Sequence, residues 1–397
     1  MYYPLRALRE GHWFKLICGA SFQHLPAVRN LTLAYTLAGA DCIDVAADPA
    51  VVAAAKDGLQ VAAQFADAAR ARGFGFKNLP WLMVSLNDGE DPHFRKAEFD
   101  PAECPADCPR PCEKICPAQA IVFADTGHAY SGVIDQRCYG CGRCVPLCPI
   151  QQIVTRAYVS TPEAIAPLIL EAGVDALEIH TQVGHLADFQ RLWQAIRSAA
   201  TDTANPPWID RLKLIAISCP DGDGIIDYLW ALYEMMQPLA CTLVWQTDGR
   251  PMSGDIGIGT TRAAVKLGEK VLAAGLPGYI QLAGGTNDHT VAKLKLAGLL
   301  NSNVRSEFGS DHLDQNSKSS IAGVAYGSYA RVLLSPVLDQ LEKINVNRDV
   351  PLTSLPNPSF QGRLEETPQL LWEAVAIAHS LVSQLKSSVE GKVTSGG

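Results

Sequence analysis

Short apolar runs alternate with longer stretches of helical periodicity along most of the chain. The runs Trp13–Cys18, Cys42–Val45, Trp81–Leu86 and Ala176–His180 have the length and bounded apolar character of buried strands. So do Leu212–Ser218, Cys241–Thr247, Gly278–Ala283 and Ile321–Ala325. Helical spacing fills the intervals near 25–38, 49–71, 161–172, 186–200, 223–237, 261–274, 288–300 and 328–344. Eight strands alternating with eight helices predict an α/β fold, a (β/α)8 TIM-like barrel, with a doubly wound open sheet as the alternative. A local echo points the same way. Leu37-Ala-Gly-Ala-Asp41, Glu171-Ala-Gly-Val-Asp175 and Ala273-Ala-Gly275 each place a glycine to end a helix before a short loop into the next strand.

Residues 91–155 break the alternation after the third strand, on the face where barrel loops carry function. The expected organisation is therefore residues 1–90 as the first part of the barrel, 91–155 as an insertion and 156–345 as the remainder. Residues 346–397 follow as a C-terminal helix and a disordered tail. Leu370–Leu385 has one apolar stripe and is expected to close the barrel bottom; Asn301–Ser320 is polar and expected to be mobile. Gly254–Thr261 is glycine-rich without a Lys-Ser/Thr partner, hence not a P-loop.

The insertion holds eight of the twelve cysteines. Cys138, Cys141, Cys144 and Cys148-Pro149 follow C-x2-C-x2-C-x3-C-P, which wraps a short loop around three irons of a cubane and sends the fourth thiolate to a neighbouring cluster. A four-cysteine zinc site instead needs two separated C-x2-C pairs. The earlier run, Cys104, Cys108, Cys112 and Cys116-Pro117, is spaced x3, x3, x3 and keeps the closing C-x3-C-P. Pro105, Pro109 and Pro111 stiffen its widened loop. Crossed ligation assigns Cys104, Cys108, Cys112 and Cys148 to one [4Fe-4S] cluster, and Cys138, Cys141, Cys144 and Cys116 to another, as in a bacterial 2[4Fe-4S] ferredoxin. Between the runs, Ala120–Ala124 and Ser131–Asp135 flank Asp125-Thr-Gly-His128 as a small hairpin. The remaining Cys18, Cys42, Cys219 and Cys241 lie among apolar runs and are expected as small buried hydrophobes, with Cys219 the one placed for reactivity.

Polar residues inside barrel strands must point inward, because the outward face meets the helices. Period two turns Lys15, Asp44, Ser85, Asn87, Glu178, His180, Ser218, Gln246 and Gln281 into the lumen or its mouth. Lys15, Asp44, Glu178 and His180 form either a satisfied internal network or a ligand pocket, with Lys15 and Asp44 on neighbouring strands placed to pair directly. Gly284, Gly285 and Thr286 after the seventh strand, with Gly327, Ser328 and Arg331 after the eighth, match the positions of a barrel's phosphate site. A phosphate-containing ligand, with flavin as the sharpest candidate, would sit there. His24 and His185 lie at helix starts and are expected on the surface.

Composition narrows the classes. A net charge of −8 without any Lys/Arg block makes nucleic acid and anionic membrane poor partners. No apolar run approaches a membrane span, and Met1–Arg6 lacks the apolar stretch of a signal peptide, so a soluble cytoplasmic protein is expected.

The stretch Gly11-His-Trp-Phe-Lys-Leu-Ile-Cys-Gly-Ala-Ser21, then Ala40-Asp-Cys-Ile-Asp-Val-Ala-Ala-Asp-Pro49, together with both cysteine runs, resembles the cyanobacterial light-dependent-period family, LdpA. The similarity covers most of residues 8–345. It implies the eight cysteines as cluster ligands and a role in redox-linked light input to the circadian clock. It also implies clock proteins as partners, and ferredoxin or quinone as redox partners. It supplies no catalytic residue. Three functions remain open: a redox-sensing regulator, a ferredoxin-type oxidoreductase reducing a ligand at the barrel mouth, and a plain electron carrier on an inert barrel.

Overall fold

The computed structural model describes residues 3–89, 94–124, 130–157, 173–199, 212–250, 256–300, 320–346 and 362–386. Strands β1 (Trp13–Gly19), β2 (Cys42–Ala46) and β3 (Trp81–Asn87) come first. The interrupted region contributes β4 (Arg95–Glu98), β5 (Ile121–Val122), β6 (Gly132–Val133) and β7 (Val154–Ala157). Then follow β8 (Ala176–His180), β9 (Leu214–Pro220), β10 (Thr242–Asp248), β11 (Tyr279–Ala283) and β12 (Gly323–Tyr326). The eight long strands pair in parallel in the order β1, β2, β3, β8, β9, β10, β11, β12, and β12 pairs back onto β1. Closure removes the open-sheet alternative, since no edge is left. Every residue of β2, β3 and β8 is buried, which is why these strands read as continuous runs with a few polar insertions.

The helices are α1 (Tyr3–Glu10), α2 (Leu25–Ala38), α3 (Pro49–Ala71), α4 (Pro111–Ile115) and α5 (Leu186–Ala199). They continue with α6 (Ile225–Met236), α7 (Thr261–Ala273), α8 (Thr290–Leu296), α9 (Ser328–Val346) and α10 (Pro368–Lys386). Gly39, Gly173 and Gly275 all adopt positive φ before the next strand, as the echo predicts. The helix expected at 161–172, the hairpin turn Asp125–His128, residues 301–319 and the tail 387–397 lie outside the described residues.

The barrel bottom is closed by α1, not by the C-terminal helix. Ala7 and Leu8 pack with Trp13, Cys42, Trp81, Met83, Ala176, Leu214 and Val244 into an apolar plug. Helix α10 instead lies outside, against α2 and α9. The reason is legible in α2, where every residue from Val28 to Ala38 is buried. A helix buried on every side needs cover on its outer side as well, and the stripe Leu371, Ala374, Val375, Ala378 and Leu381 supplies it. Buried Arg29 of α2 locks this packing by pairing with Asp57 of α3 and Glu365 just ahead of α10. Among the described residues no helix is long and apolar enough to cross a membrane.

Candidate cluster sites and the barrel interior

The interrupted region leaves the barrel after β3 and is tied at its base by β4 and β7, paired antiparallel from Arg95 opposite Ala157 to Glu98 opposite Val154. Its two halves repeat one local device. After the Cys-Pro that closes each run, the third residue on from the cysteine takes a left-handed backbone, Gln119 at φ 48° and Gln151 at φ 55°. That turn aims the next N–H back at the sulfur. Ala120 N donates to Cys116 Sγ at 3.2 Å, and Gln152 N donates to Cys148 Sγ at 3.4 Å. In the widened first run Arg110, between Cys108 and Cys112, also adopts a left-handed backbone at φ 51°, directly before Pro111 opens α4, but the proline has no N–H to return to sulfur. In the regular run Gly140 has φ 72°, and a Cβ there would lie 2.1 Å from the carbonyl oxygen of Arg95, so this loop position requires glycine.

The eight thiols gather in two groups, each mixing both runs. Cys104, Cys108, Cys112 and Cys148 line one cavity, with Phe99, Phe123 and Ile153 around it. Cys116 lies instead among Cys138, Cys141 and Cys144. The Cys144 thiol is pushed up to about 12 by burial and by the nearness of Cys141, Cys138 and Cys116. Burial and the neighbouring Cys116 also raise Cys138, although the N–H of Ala97 and of Gly140 favour its thiolate. Thiols that resist ionisation together are ionised by bound metal, so this crowding suits a cluster. Among the described residues no three such side chains converge as a single ion requires. A cubane, whose thiolates bind different irons, has no such need.

The group around Cys138 faces the barrel. Cys141 and Ala118 pack on the main core, and Tyr139 is part of it. Tyr139 meets Phe22 edge to face at 6.2 Å between ring centres. Arg137 pairs with Glu342 of α9 at 3.0 Å, Gln119 donates to Asp339 at 3.1 Å, and Lys96 donates to Gln23 at 2.8 Å. His24, expected on the surface, is half-buried in this seam, and burial together with the Arg137 charge lowers it to about 4.

Within the barrel eight of the nine predicted inner residues form one connected network, while Asn87 donates to the Gly89 carbonyl at 2.7 Å. Lys15, fully buried, binds Glu178 directly across the lumen and lies 3.6 Å from Asp44. Lys15 and Asp44 thus pair across neighbouring strands as expected, and Glu178 is reached as well, because a four-carbon stem crosses a narrow closed barrel easily. Glu178 also meets His180 Nε2 at 3.0 Å and accepts from Gln246 at 2.8 Å. Burial opposes its charge, but Lys15 and these donors prevail and bring the carboxyl down to about 2. Asp44 has only Ser85, donating at 2.7 Å, as a close donor, and burial lifts it to about 6. Gln281 donates to Gln246 Oε1 at 2.6 Å and accepts from Trp13 Nε1 at 2.6 Å. Ser218 donates to Asp248.

Residues 104–159 match the family model of the LdpA Fe-S cluster-binding domain, and residues 168–384 match the Light dependent period A C-terminal domain. A curated protein of Synechococcus elongatus named "Light dependent period A" is 49% identical over 393 residues, covering 99% of this chain and 96% of that protein. The chain belongs to the light-dependent-period A family. It thus joins an iron–sulfur-binding domain to a closed parallel barrel.

In this LdpA-family barrel the residues of the expected phosphate site make contacts within the protein. A Cβ on Gly284 would lie 2.7 Å from Gly249 N, and one on Gly285 2.7 Å from Thr260 O, so these glycines admit neighbouring backbone. Thr286 donates to the Ala325 carbonyl at 2.6 Å. Gly327 and Ser328 lie beside Arg331, whose guanidinium donates to the Ile17 and Cys18 carbonyls at 2.8 and 3.0 Å. Cys18, Cys42 and Cys219 are buried as expected, and Cys241 is half-buried. His185, expected on the surface, holds Asp88 at 3.1 Å at the barrel rim, where Thr181 bridges Asp88 and Tyr228. Asp248 escaped the sequence reading because β10 runs one residue past Thr247; continuing the alternation from Gln246 would have found it.

Two outcomes follow from the network. Lys15→Met strands two buried carboxylates and is expected to cost about 3–5 kcal/mol in denaturant unfolding; near-normal stability would show that Lys15 is not structural. Asp44, raised to about 6, binds its proton more tightly folded than unfolded. Its contribution is therefore present below its ordinary value and is lost as pH rises through about 6. Between pH 4 and 6 the wild type should lose about 1–3 kcal/mol relative to Asp44→Asn. Parallel pH profiles for the two proteins would contradict this.

Proposed function

We propose that this chain is a redox-active iron–sulfur protein that carries two [4Fe-4S] clusters and reports photosynthetic electron flow to the circadian clock through protein partners. Cys104, Cys108, Cys112 and Cys148 would hold the outer cluster; Cys116, Cys138, Cys141 and Cys144 would hold the inner one. The observation that carries the reading is the grouping of eight thiols into two sets of four, each completed by the last cysteine of the other run. When bound, the clusters supply one-electron redox chemistry. The chain's own residues supply N–H donors to sulfur and pack the inner site against the barrel core. Kinship to a protein named for a light-dependent period supports the clock role and clock proteins or redox carriers as partners.

The oxidoreductase alternative needs open chemistry at the barrel mouth. Lys15 and Glu178 are instead committed to each other, and Arg331 is committed to backbone carbonyls and an aromatic ring. These contacts favour the regulator over a flavin or phosphate-ligand enzyme.

Anaerobic protein is expected to hold about eight irons and eight sulfides per chain. Cys141→Ser should abolish one EPR signal and Cys108→Ser the other; loss of the same signal in both variants would refute the crossed assignment. For the signalling claim, reduced and oxidised protein should differ several-fold in affinity for purified clock partners, the scale of ~1–3 kcal/mol of coupling. Equal binding by reduced, oxidised and cluster-free protein would end the sensor reading.

A further inference from the structure

Buried cations need anions, and most in this barrel have them. Lys15 has Glu178 and Asp44, Arg29 has Asp57 and Glu365, and Lys386 has Asp41. Arg331, in the first turn of α9, is only 6% exposed, yet none of the described carboxylates lies within ion-pair distance of it. Its hydrogen bonds go to neutral groups: the Ile17 and Cys18 carbonyls at 2.8 and 3.0 Å, and the Ser328 hydroxyl at 3.1 Å. Its Nε makes none. A buried guanidinium balanced only by neutral acceptors is costly unless a negative charge stands nearby.

The remaining neighbour identifies that charge. The guanidinium carbon lies 4.2 Å over the ring of Tyr139, and Tyr139 sits between Cys138 and Cys141 with 4% of its surface exposed. Cys141 packs on the same core as Tyr139, and Pro117, next to Cys116 in the chain, lines one cavity with Tyr139 and Arg331. A four-iron cluster held by four thiolates has a net negative charge that grows by one on reduction.

We infer that Arg331 is the barrel's counter-charge to the inner cluster, a positioning residue that raises this cluster's reduction potential through the Tyr139 ring and ties its charge state to the end of β1. The inference rests on the reading that Cys116, Cys138, Cys141 and Cys144 bind a cluster. Phe22, Leu31, Tyr139 and Leu338 line the seam between insertion and barrel beside Arg331 and lower the local dielectric, while the carboxylates of the same seam, Asp339 and Glu342, are engaged by Gln119 and Arg137. The coupling is reciprocal: if Arg331 favours the reduced cluster, reduction draws the guanidinium toward Tyr139 and changes its hold on Ile17 and Cys18. The electron count at the inner site would thereby be felt in the barrel.

The test is an EPR-monitored redox titration of anaerobic holoprotein, with iron measured on every preparation. Arg331→Met and Arg331→Gln remove the charge; Gln keeps an amide donor for the carbonyls should the Met variant fail to fold. Both are expected to shift the inner cluster's potential negative and leave the outer one in place, whereas Arg331→Lys stays close to wild type. Thermal unfolding after cluster removal gives a second readout. The charge-removing variants should be as stable as wild type or more so without clusters, and less stable than wild type with them. Unchanged inner potentials in wild-type-like, eight-iron Met or Gln variants would overturn the inference and leave the cluster assignment standing. So would a Lys variant whose potential falls as far as theirs. A wild type lacking the Cys141-dependent signal would remove the assignment and the inference together.

Discussion

Lys15 reaches across the lumen of the barrel to Glu178, with Asp44 beside it, and the polar half of the interior is arranged around that contact. One ammonium cannot neutralise two carboxylates, so the other groups are placed to make up the difference. His180 and Gln246 give Glu178 further donors, Ser85 supports Asp44, and burial raises Asp44 to about 6. Below this layer the lumen is filled by apolar side chains and stoppered by Ala7 and Leu8. Above it, Phe94 stands edge-on to His180 at 5.1 Å between ring centres, at the point where the chain leaves the barrel for the cysteine segment. The charged floor and the inserted segment are therefore in continuous contact.

The cysteine segment shows how much backbone conformation is needed to present sulfur. Gln119, Gln151 and Arg110 hold positive φ without being glycine, a cost of about 1–2 kcal/mol each for an L-residue. At the two glutamines that strain is offset by the N–H bonds returned to Cys116 and Cys148. The segment is joined to the barrel asymmetrically. One cysteine group packs on the barrel core through Cys141 and Tyr139, while the other is walled by the segment's own Phe99, Phe123 and Ile153. Two sites built from similar runs thus have different electrostatic surroundings, and two clusters there would differ in potential for that reason alone.

The sequence by itself determined the barrel, because eight buried runs separated by helical periodicity have few closed solutions. It also determined which polar residues face inward, since strand alternation is a local property with period two. Cysteine spacing likewise carried the iron–sulfur reading, as loop length limits what a short chain can wrap. Several matters were decided only by the tertiary structure. Period two turned Lys15 and Glu178 to the same lumen, but only the closed barrel's diameter made them partners. Amphipathicity gave Leu370–Leu385 as a helix, yet its docking site was set by α2, which needed cover, while Ala7 and Leu8 took the bottom. Glycine placement at 284–285 and 327 suggested an anion site near Arg331. Packing gave Gly284 and Gly285 to backbone crossings and turned Arg331 toward Tyr139, a residue 192 positions away in sequence. Periodicity and spacing are written in neighbouring residues; which distant charge a buried guanidinium answers depends on how the layers pack.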